Sequence, residues 1–526
     1  MSNKPYPYYE HEYITNYKEL LELRLRETPD DPAFSFRAGD MVVRKTYRDL
    51  YNESNLLANY FNSKYGTKKH IAIMGENSYN WIICFIAIIL SGNIAVILDK
   101  DSDTKKTKEL LKSTDTKIIY YSEKYCSHVK DIKFIKQLTM DSIEEYLDEG
   151  AKKINKYKID NDAPAAIFFT SGTTGPNKGV VLTQKSMAAD LYGASSLYFP
   201  YGDVVGFLPF HHAFGLITGI IMPIYYGKEV YINGSLKNIL RDFQENKPAI
   251  VFVVPIFVET FYKQIWQTAR KQHREGKLKA GIKISNTLLK AGIDMRKKFF
   301  KSIHEQFGGN LRHMICGGAF LDKKYVKWFR SIGIDMLNGY GITECSPVVS
   351  VNRNEFYRDG SIGVPCRGVT VKVIDGEICV KGDIVMKEYY KDKKATKEVL
   401  YDDYFHTGDL GYIDKDGFIF ITGRKKNIII LSNGENISPE PIEQALQKDK
   451  GVCEVVVYSK DNKLIAMIYP EEEYLGDQEY FDELIYEYNK NKPINHQIAL
   501  AELRTTEFVK NNSKKIIRSK ITEESN

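Results

Sequence analysis

Short, almost wholly apolar runs recur through about the first 340 residues, and longer amphipathic stretches separate them. His70–Met74, Ile94–Leu98, Lys117–Tyr121, Ala165–Phe169, Val204–Leu208, Ile250–Val254 and Arg312–Ile315 read as strands. The clearest helical pattern, Tyr47–Tyr65, follows a capping-type Thr46 and carries Leu50, Leu56, Leu57, Tyr60 and Phe61. Buried strands separated by helices indicate parallel sheets covered on both faces, an α/β architecture. At roughly 150 residues per domain, 526 residues should form three or four core-forming units.

Trp81–Leu98 is the one stretch apolar enough to raise a membrane-spanning alternative. Ser91-Gly92-Asn93 interrupts it, so a buried helix, a turn and a buried strand are expected instead. Beyond about residue 360 the runs become short and turn-linked: Val371–Val373, Glu377–Val380, Gly411–Ile413 and Phe418–Thr422, with Asp416-Gly417 as a hairpin turn. A small β-rich subdomain fits there. The last hundred or so residues mix strands (Glu454–Tyr458, Leu464–Ile468) with helices, as in a compact α+β module.

Thirty-six Tyr and 26 Phe within 43% hydrophobic residues exclude a largely disordered chain. The seven cysteines include no C-x-x-C pair and no histidine at metal spacing, which argues against a zinc site or a disulfide framework and suits a reducing compartment. MSNKPYPYYEHEY lacks the apolar stretch of a signal peptide, so a cytoplasmic location is expected. The net charge is only +6, but Lys263 to Lys301 holds twelve Lys/Arg against Glu275 and Asp294. Such a patch suits anionic lipid, phosphate or an acidic partner, or is a solvated helix face, with peripheral contact at the inner side of a membrane as one expectation. Nucleic acid is not expected, because the patch interleaves only Trp266, Phe299 and Phe300, at the helical spacing of core residues.

Four clusters carry chemistry. Thr170-Ser171-Gly172-Thr173-Thr174-Gly175-Pro176-Asn177-Lys178 follows a buried strand, and small hydroxyl and glycine residues leave backbone N–H groups free to surround a polyphosphate. It is not a Walker A loop, since Asn177 and Gly179 flank the lysine. Asn338-Gly339-Tyr340-Gly341-Ile342-Thr343-Glu344 offers an aromatic, a hydroxyl and a carboxylate, a set able to stack on a base and hold Mg²⁺. His406-Thr407-Gly408-Asp409 offers a carboxylate for ribose hydroxyls. Gly423-Arg424-Lys425-Lys426 puts fixed charge beside the turn-rich segment 433–439. Each alone could be an ordinary turn or charge cluster.

Together, TSGTTGPNKGV, NGYGITE, YFHTGDLG and GRKKNIIILSNGENISPEPIE resemble the adenylate-forming superfamily across roughly residues 35 to 520. IMGENSYNWIICFIAIILSGNIAVILDKD, LPFHHAFG and FVKNNSKKIIR are most similar to bacterial long-chain fatty acyl-CoA synthetases. The resemblance implies an adenylation core over 1–422 and a small mobile C-terminal domain over 423–526. It implies that Thr170, Ser171, Gly172, Thr173, Thr174, Gly175 and Lys178 bind the β- and γ-phosphates. Tyr340 would stack on adenine, with Asn338, Gly341, Gly318 and Ala319 around the nucleotide and the alkyl tail. Thr343 would contact the α-phosphate, Glu344 would ligate Mg²⁺, and Asp409 and Arg424 would hold the ribose. Lys426 would be the hinge, Lys515 the catalytic lysine and His212 a carboxylate-side residue, with His211 structural. Lys514 competes with Lys515, and the apolar Ile516-Ile517 that follows favours Lys515.

The implied reaction joins a medium- or long-chain fatty acid to CoA through an acyl-AMP, with ATP and Mg²⁺. Loading an acyl carrier protein and non-catalytic binding are the alternatives. Amino-acid-activating relatives place an Asp near 208–215, where this chain has His and aromatic residues. A carboxylate approaching the α-phosphate meets like charge, about 4 kcal/mol for unit charges at about 4 Å and an effective dielectric near 20, so the lysines and Mg²⁺ have a definite task.

Overall fold

A computed structural model describes residues 7–170, 177–431, 436–510, 516–518 and 520–521. Two compact units divide the chain. The first comprises residues up to Phe169, Gly179–Thr370 and Lys381–Glu398; the second comprises Thr170–Lys178, Val371–Val380 and Val399 onward.

Two sheets organise the first unit. One runs Glu388–Tyr389, Lys178–Thr183, Pro164–Thr170, Ile94–Ile97, His70–Met74, Ile118–Tyr121, Lys136–Thr139. His70–Met74 pairs in parallel with both of its neighbours, as expected of strands buried on both faces. The other has nine strands, in the order Val364–Pro365, Val348–Val351, Asp335–Gly341, His313–Cys316, Ile250–Val253, Val204–Gly206, Val230–Ile232, Pro32–Ala38, Met41–Thr46. Its centre is parallel, but both edges are antiparallel, so the sheets are mixed where the sequence suggested parallel ones. The edge strands escape a reading based on apolar runs because they are half solvated: Met41–Thr46 has no buried residue.

Tyr47–Tyr65 is a helix with those bounds, and Thr46 and Asp49 close a capping box at its start. Tyr79–Leu90 is a helix with eleven buried residues, turning at Gly92 (φ +78°) into the strand Ile94–Ile97. Each large aliphatic side chain buried there contributes roughly 1.5–3 kcal/mol, which draws the segment into the core. Among the described residues no helix is long and apolar enough to cross a membrane.

In the second unit, Thr370–Ile374, Glu377–Lys381, Tyr404–Ile413, Leu400–Tyr401 and Ile419–Arg424 form a five-stranded sheet. Tyr404–Ile413 and Ile419–Arg424 make the hairpin that Asp416-Gly417 signals, with Gly417 at φ +86°. The C-terminal module packs helices Pro439–Leu446 and Gln478–Asn489 on a three-stranded sheet, Val452–Lys460, Lys463–Pro470 and Ile498–Leu503. Phe508, Ile516 and Ile521 belong to a second apolar cluster there, with Val456, Ile465 and Met467.

Candidate active site

Asn338, Tyr340 and Gly341 lie in the strand Asp335–Gly341, whose first half pairs in parallel with His313–Cys316 and whose end pairs antiparallel with Val348–Val351. Gly341 is required by close approach: a Cβ there would stand 2.0 Å from the Pro347 carbonyl oxygen. Tyr340 is 9% exposed, and the buried Asn338 Oδ1 has no hydrogen-bond partner among the described residues. An amide oxygen left in this way is a ready acceptor for a ligand N–H. Thr343 and Glu344 begin a 3₁₀ turn, Thr343–Cys345. The Tyr389 hydroxyl donates to Glu344 Oε1 at 2.8 Å, and the Met386 N–H donates to the Glu344 carbonyl at 2.7 Å. Burial and the neighbouring Glu344 carboxylate push the Tyr389 phenol far up, so it stays a donor. A single fixed carboxylate suits Mg²⁺, which binds through one or two carboxylates and completes its shell with water and substrate phosphates.

The same unit contains the residues expected on the acyl side. Asn77 clamps the loop before His211: its Nδ2 donates to the Leu208 carbonyl at 2.9 Å and its Oδ1 accepts the Phe210 N–H at 3.1 Å. His211 Nε2 lies 3.4 Å from Asp99 Oδ1, with a side chain 9% exposed. Burial, then the adjacent His212, lower its pKa to about 4, so it is neutral at pH 7. The rings of His211 and His212 are 4.3 Å apart. Phe214–Ile221 then forms a π-helix, a wide-turned element that is frequent at functional sites. Val205, Gly206, Phe207, Leu208, Gly215, Gly219 and Phe252 lie together beside it as a closely packed, glycine-rich apolar wall. Gly317 completes this region, because its missing Cβ would stand 3.1 Å from the Phe214 ring. Gly318 (φ +83°) and Ala319 follow the strand His313–Cys316.

In the second unit Asp409 and Arg424 sit directly opposite each other across the hairpin, with Arg424 Nε 2.6 Å from Asp409 Oδ1. Asp409 is 2% exposed, and its N–H donates to Thr407 Oγ1 at 3.0 Å; Thr407 in turn donates to the Ile378 carbonyl at 2.7 Å. A carboxylate this buried requires the guanidinium, and the pair together presents donors and acceptors to a ligand. Lys426 is the middle residue of the next turn, Lys425–Asn427; the surrounding chain, then Arg424 and Lys178, hold its ammonium below the usual lysine value. Thr170 ends one strand and Lys178 begins the next.

Of the residues singled out in the sequence, Ser171, Gly172, Thr173, Thr174, Gly175 and Lys515, with its competitor Lys514, lie outside the described residues. Within the first unit, Asn338, Tyr340, Gly341, Thr343 and Glu344 share one strand and turn, and His212, Gly318 and Ala319 belong to the same unit. Within the second, Asp409 and Arg424 are brought together by strand pairing. Sequence reasoning missed Tyr389 and Asn77, whose partners are 45 and more than 100 residues away. No local pattern marks either one.

The description "AMP-binding enzyme" matches residues 21–390, and "AMP-binding enzyme C-terminal domain" matches 426–525. The long-chain-fatty-acid–CoA ligase FadD15 of Mycobacterium bovis is 26% identical over 435 residues, covering 76% of this chain and 72% of that protein. Among solved structures, a Mycobacterium tuberculosis fatty acyl CoA synthetase aligns with a TM-score of 0.70 and 20% identity over 97% of this chain and 98% of that one. The o-succinylbenzoate coenzyme A synthetase MenE of Bacillus subtilis, in complex with ATP and magnesium ion, aligns with a TM-score of 0.73 and 21% identity over 96% and 99%. At these identities the two structures bear on the fold alone.

Proposed function

The chain belongs to the AMP-binding enzyme family, and from that premise we propose that it is an ATP-dependent acid–thiol ligase for medium- or long-chain fatty acids. In the first half-reaction a carboxylate oxygen attacks the α-phosphorus of ATP and pyrophosphate leaves. In the second, the CoA thiolate attacks the acyl carbon and AMP leaves. The observation that carries this reading is the Tyr340–Glu344 turn: a nearly buried aromatic, a buried acceptor at Asn338 and a carboxylate fixed by Tyr389 within seven residues.

Tyr340 stacks on adenine, and Asn338 Oδ1 accepts from its amino group. Thr343 contacts the α-phosphate. Thr170, Ser171, Gly172, Thr173, Thr174, Gly175 and Lys178 cradle the β- and γ-phosphates. Asp409 accepts hydrogen bonds from the ribose hydroxyls, with Arg424 orienting it. Glu344 would hold Mg²⁺, which when bound would supply positive charge to the phosphate oxygens. His212 and the walls at Gly318 and Ala319 bound the acyl side, with the glycine-rich wall beside the π-helix along the alkyl chain. Lys515 neutralises the anions as they meet, and Lys426 is the hinge of a C-terminal domain spanning 423–526, a boundary that the family match from 426 supports.

The acid and the acceptor are tested together. Pyrophosphate release is measured with carboxylic acids of increasing length, with and without CoA, and with an acyl carrier protein in place of CoA. The proposal expects turnover to rise with chain length and to require CoA. Turnover supported only by the carrier protein would move the enzyme to the carrier-loading class.

We further place the enzyme in the cytoplasm, at the inner membrane face. The strand Ile250–Val253, whose Phe252 belongs to the glycine-rich wall, runs into the helix Pro255–Lys271, and Glu275–Lys290 follows. The second helix buries only Ser285, and Ile284, Ile293 and Phe299 are about half exposed along this region. Phe300 is in the core as its spacing suggested, but Phe299 is not. Apolar side chains among Lys277, Lys283, Lys290, Lys297 and Lys298 suit an anionic bilayer, at up to about 1 kcal/mol per contacting charge. Arg296 takes no part, being tied to Asp294 at 2.7 Å and to the Arg330 carbonyl. Co-sedimentation with anionic but not neutral vesicles is expected, weakening between low and physiological salt. Charge reversal at Lys283, Lys290, Lys297 and Lys298 should abolish it without slowing turnover of a short acid. Equal binding to neutral vesicles would contradict this reading.

A further inference from the structure

We propose that Glu377 is a positioning residue for the nucleotide: one carboxylate holds the chain neighbours of both members of the Asp409–Arg424 pair. The proposal rests on the ribose role given to that pair above. Glu377 lies on the strand Glu377–Lys381 with a side chain 6% exposed. Its Oε1 accepts the Gly408 N–H at 2.8 Å, and Gly408 (φ +72°) directly precedes Asp409. Its Oε2 accepts from Lys425 Nζ at 2.8 Å, and Lys425 directly follows Arg424. The same Oε2 lies 3.6 Å from His406 Nδ1, whose ring is stacked on Tyr401.

The strand ladder sets the pair opposite each other, close to two irregularities. Registry across the hairpin slips between Leu410 and Gly411, next to Asp409, and registry with the Glu377 strand slips between Glu377 and Cys379. A bulge twists and loosens pairing locally. A single carboxylate bonded to both sides ties the two strands together beside those slips. The charge on Glu377 is part of the device. Burial raises its carboxyl pKa, but the Lys425 ammonium, the Gly408 amide and His406 outweigh that and hold it below the usual value. Lys425 itself is 57% exposed, so its side chain contributes little packing and its removal isolates the clamp.

The test uses the full chain and the variants Lys425→Met, Glu377→Gln and the two combined. KM is measured for ATP and for the fatty acid, along with the preference for ATP over 2′,3′-dideoxy-ATP in kcat/KM. Each single variant is expected to raise the KM for ATP about five- to twentyfold, as for loss of one charge-assisted contact, with the KM for the acid unchanged. The preference for ATP over the dideoxy analogue should shrink by a similar factor. The double variant should be no worse than the worse single one, because both remove the same interaction. An unchanged preference, an equal loss for both substrates or a multiplicative double variant would overturn the proposal. If Glu377→Gln does not fold, Lys425→Met alone decides it. Asp409→Ala is the parallel arm: if it leaves the preference intact, the ribose reading fails and this proposal with it. If Asp409→Ala abolishes the preference and the clamp variants keep it, only the clamp fails.

Discussion

Replacing Lys515 with alanine is expected to abolish acyl-AMP formation while leaving transfer from preformed acyl-AMP to CoA largely intact. The lysine's charge acts where two anions meet, the carboxylate and the α-phosphate, and that encounter exists only in the first half-reaction. Loss of one preorganised electrostatic contact of this kind typically costs about a hundred- to a thousandfold in kcat. The chain on either side of 511–515 is anchored: Lys510 pairs with Ile516, and the Ile517 N–H donates to the Val509 carbonyl at 2.9 Å. Ile516 also packs against the apolar cluster of the C-terminal module, so the substitution need not disturb that anchorage. Lys514→Ala is the companion variant. A larger loss there would transfer the role to Lys514, and an equal fall in both half-reactions would show that the lysine is not specific to adenylation. Each half-reaction is read separately, by pyrophosphate release and by thioester formation from synthetic acyl-AMP.

Asp409→Ala should raise the KM for ATP about ten- to a hundredfold and leave the KM for the fatty acid nearly unchanged. Charge-assisted hydrogen bonds to the ribose hydroxyls account for roughly 1.5–3 kcal/mol of that loss. Asp409 is almost fully buried, and truncation also leaves Arg424 without its 2.6 Å partner. Asp409→Asn separates the two effects, since it preserves shape and removes charge. A KM for ATP within twofold of the parent in both variants would refute the ribose assignment.

The strands at 70–74, 94–97, 118–121 and 250–253 were legible because they are buried on both faces, and burial on both faces leaves an unbroken apolar run. The edge strands Met41–Thr46 and Val364–Pro365 were not, because an edge half in solvent carries neither a run nor a clean alternation. Tyr404–Ile413 was only partly legible. Gly408 and Gly411 interrupt its pattern, and Asp409 sits inside it as a nearly buried carboxylate. The site shows the same division. Tyr340, Thr343, Glu344, Asp409 and Arg424 lie in contiguous motifs whose chemistry is visible in one dimension. The residues that hold them do not: Tyr389 reaches Glu344 through an ordinary phenol, and Glu377 reaches Gly408 and Lys425 only because the fold brings three segments together. Charge counting along 263–301 marked a cationic region but did not distinguish Arg296, committed to Asp294, from the exposed lysines beside it.

The central claim is that the carboxylate oxygen, not water, becomes bonded to the α-phosphorus as pyrophosphate leaves. It is tested most directly with a fatty acid carrying ¹⁸O in both carboxylate positions, incubated with the enzyme, ATP, Mg²⁺ and CoA. Attack on the α-phosphorus makes a labelled oxygen the bridge of the acyl-AMP, and thiolate attack on the acyl carbon then releases that oxygen with AMP. The account predicts one ¹⁸O in each AMP formed and none in pyrophosphate, with the other retained in the thioester carbonyl. Label in inorganic phosphate beside ADP, or AMP formed without label, would contradict it.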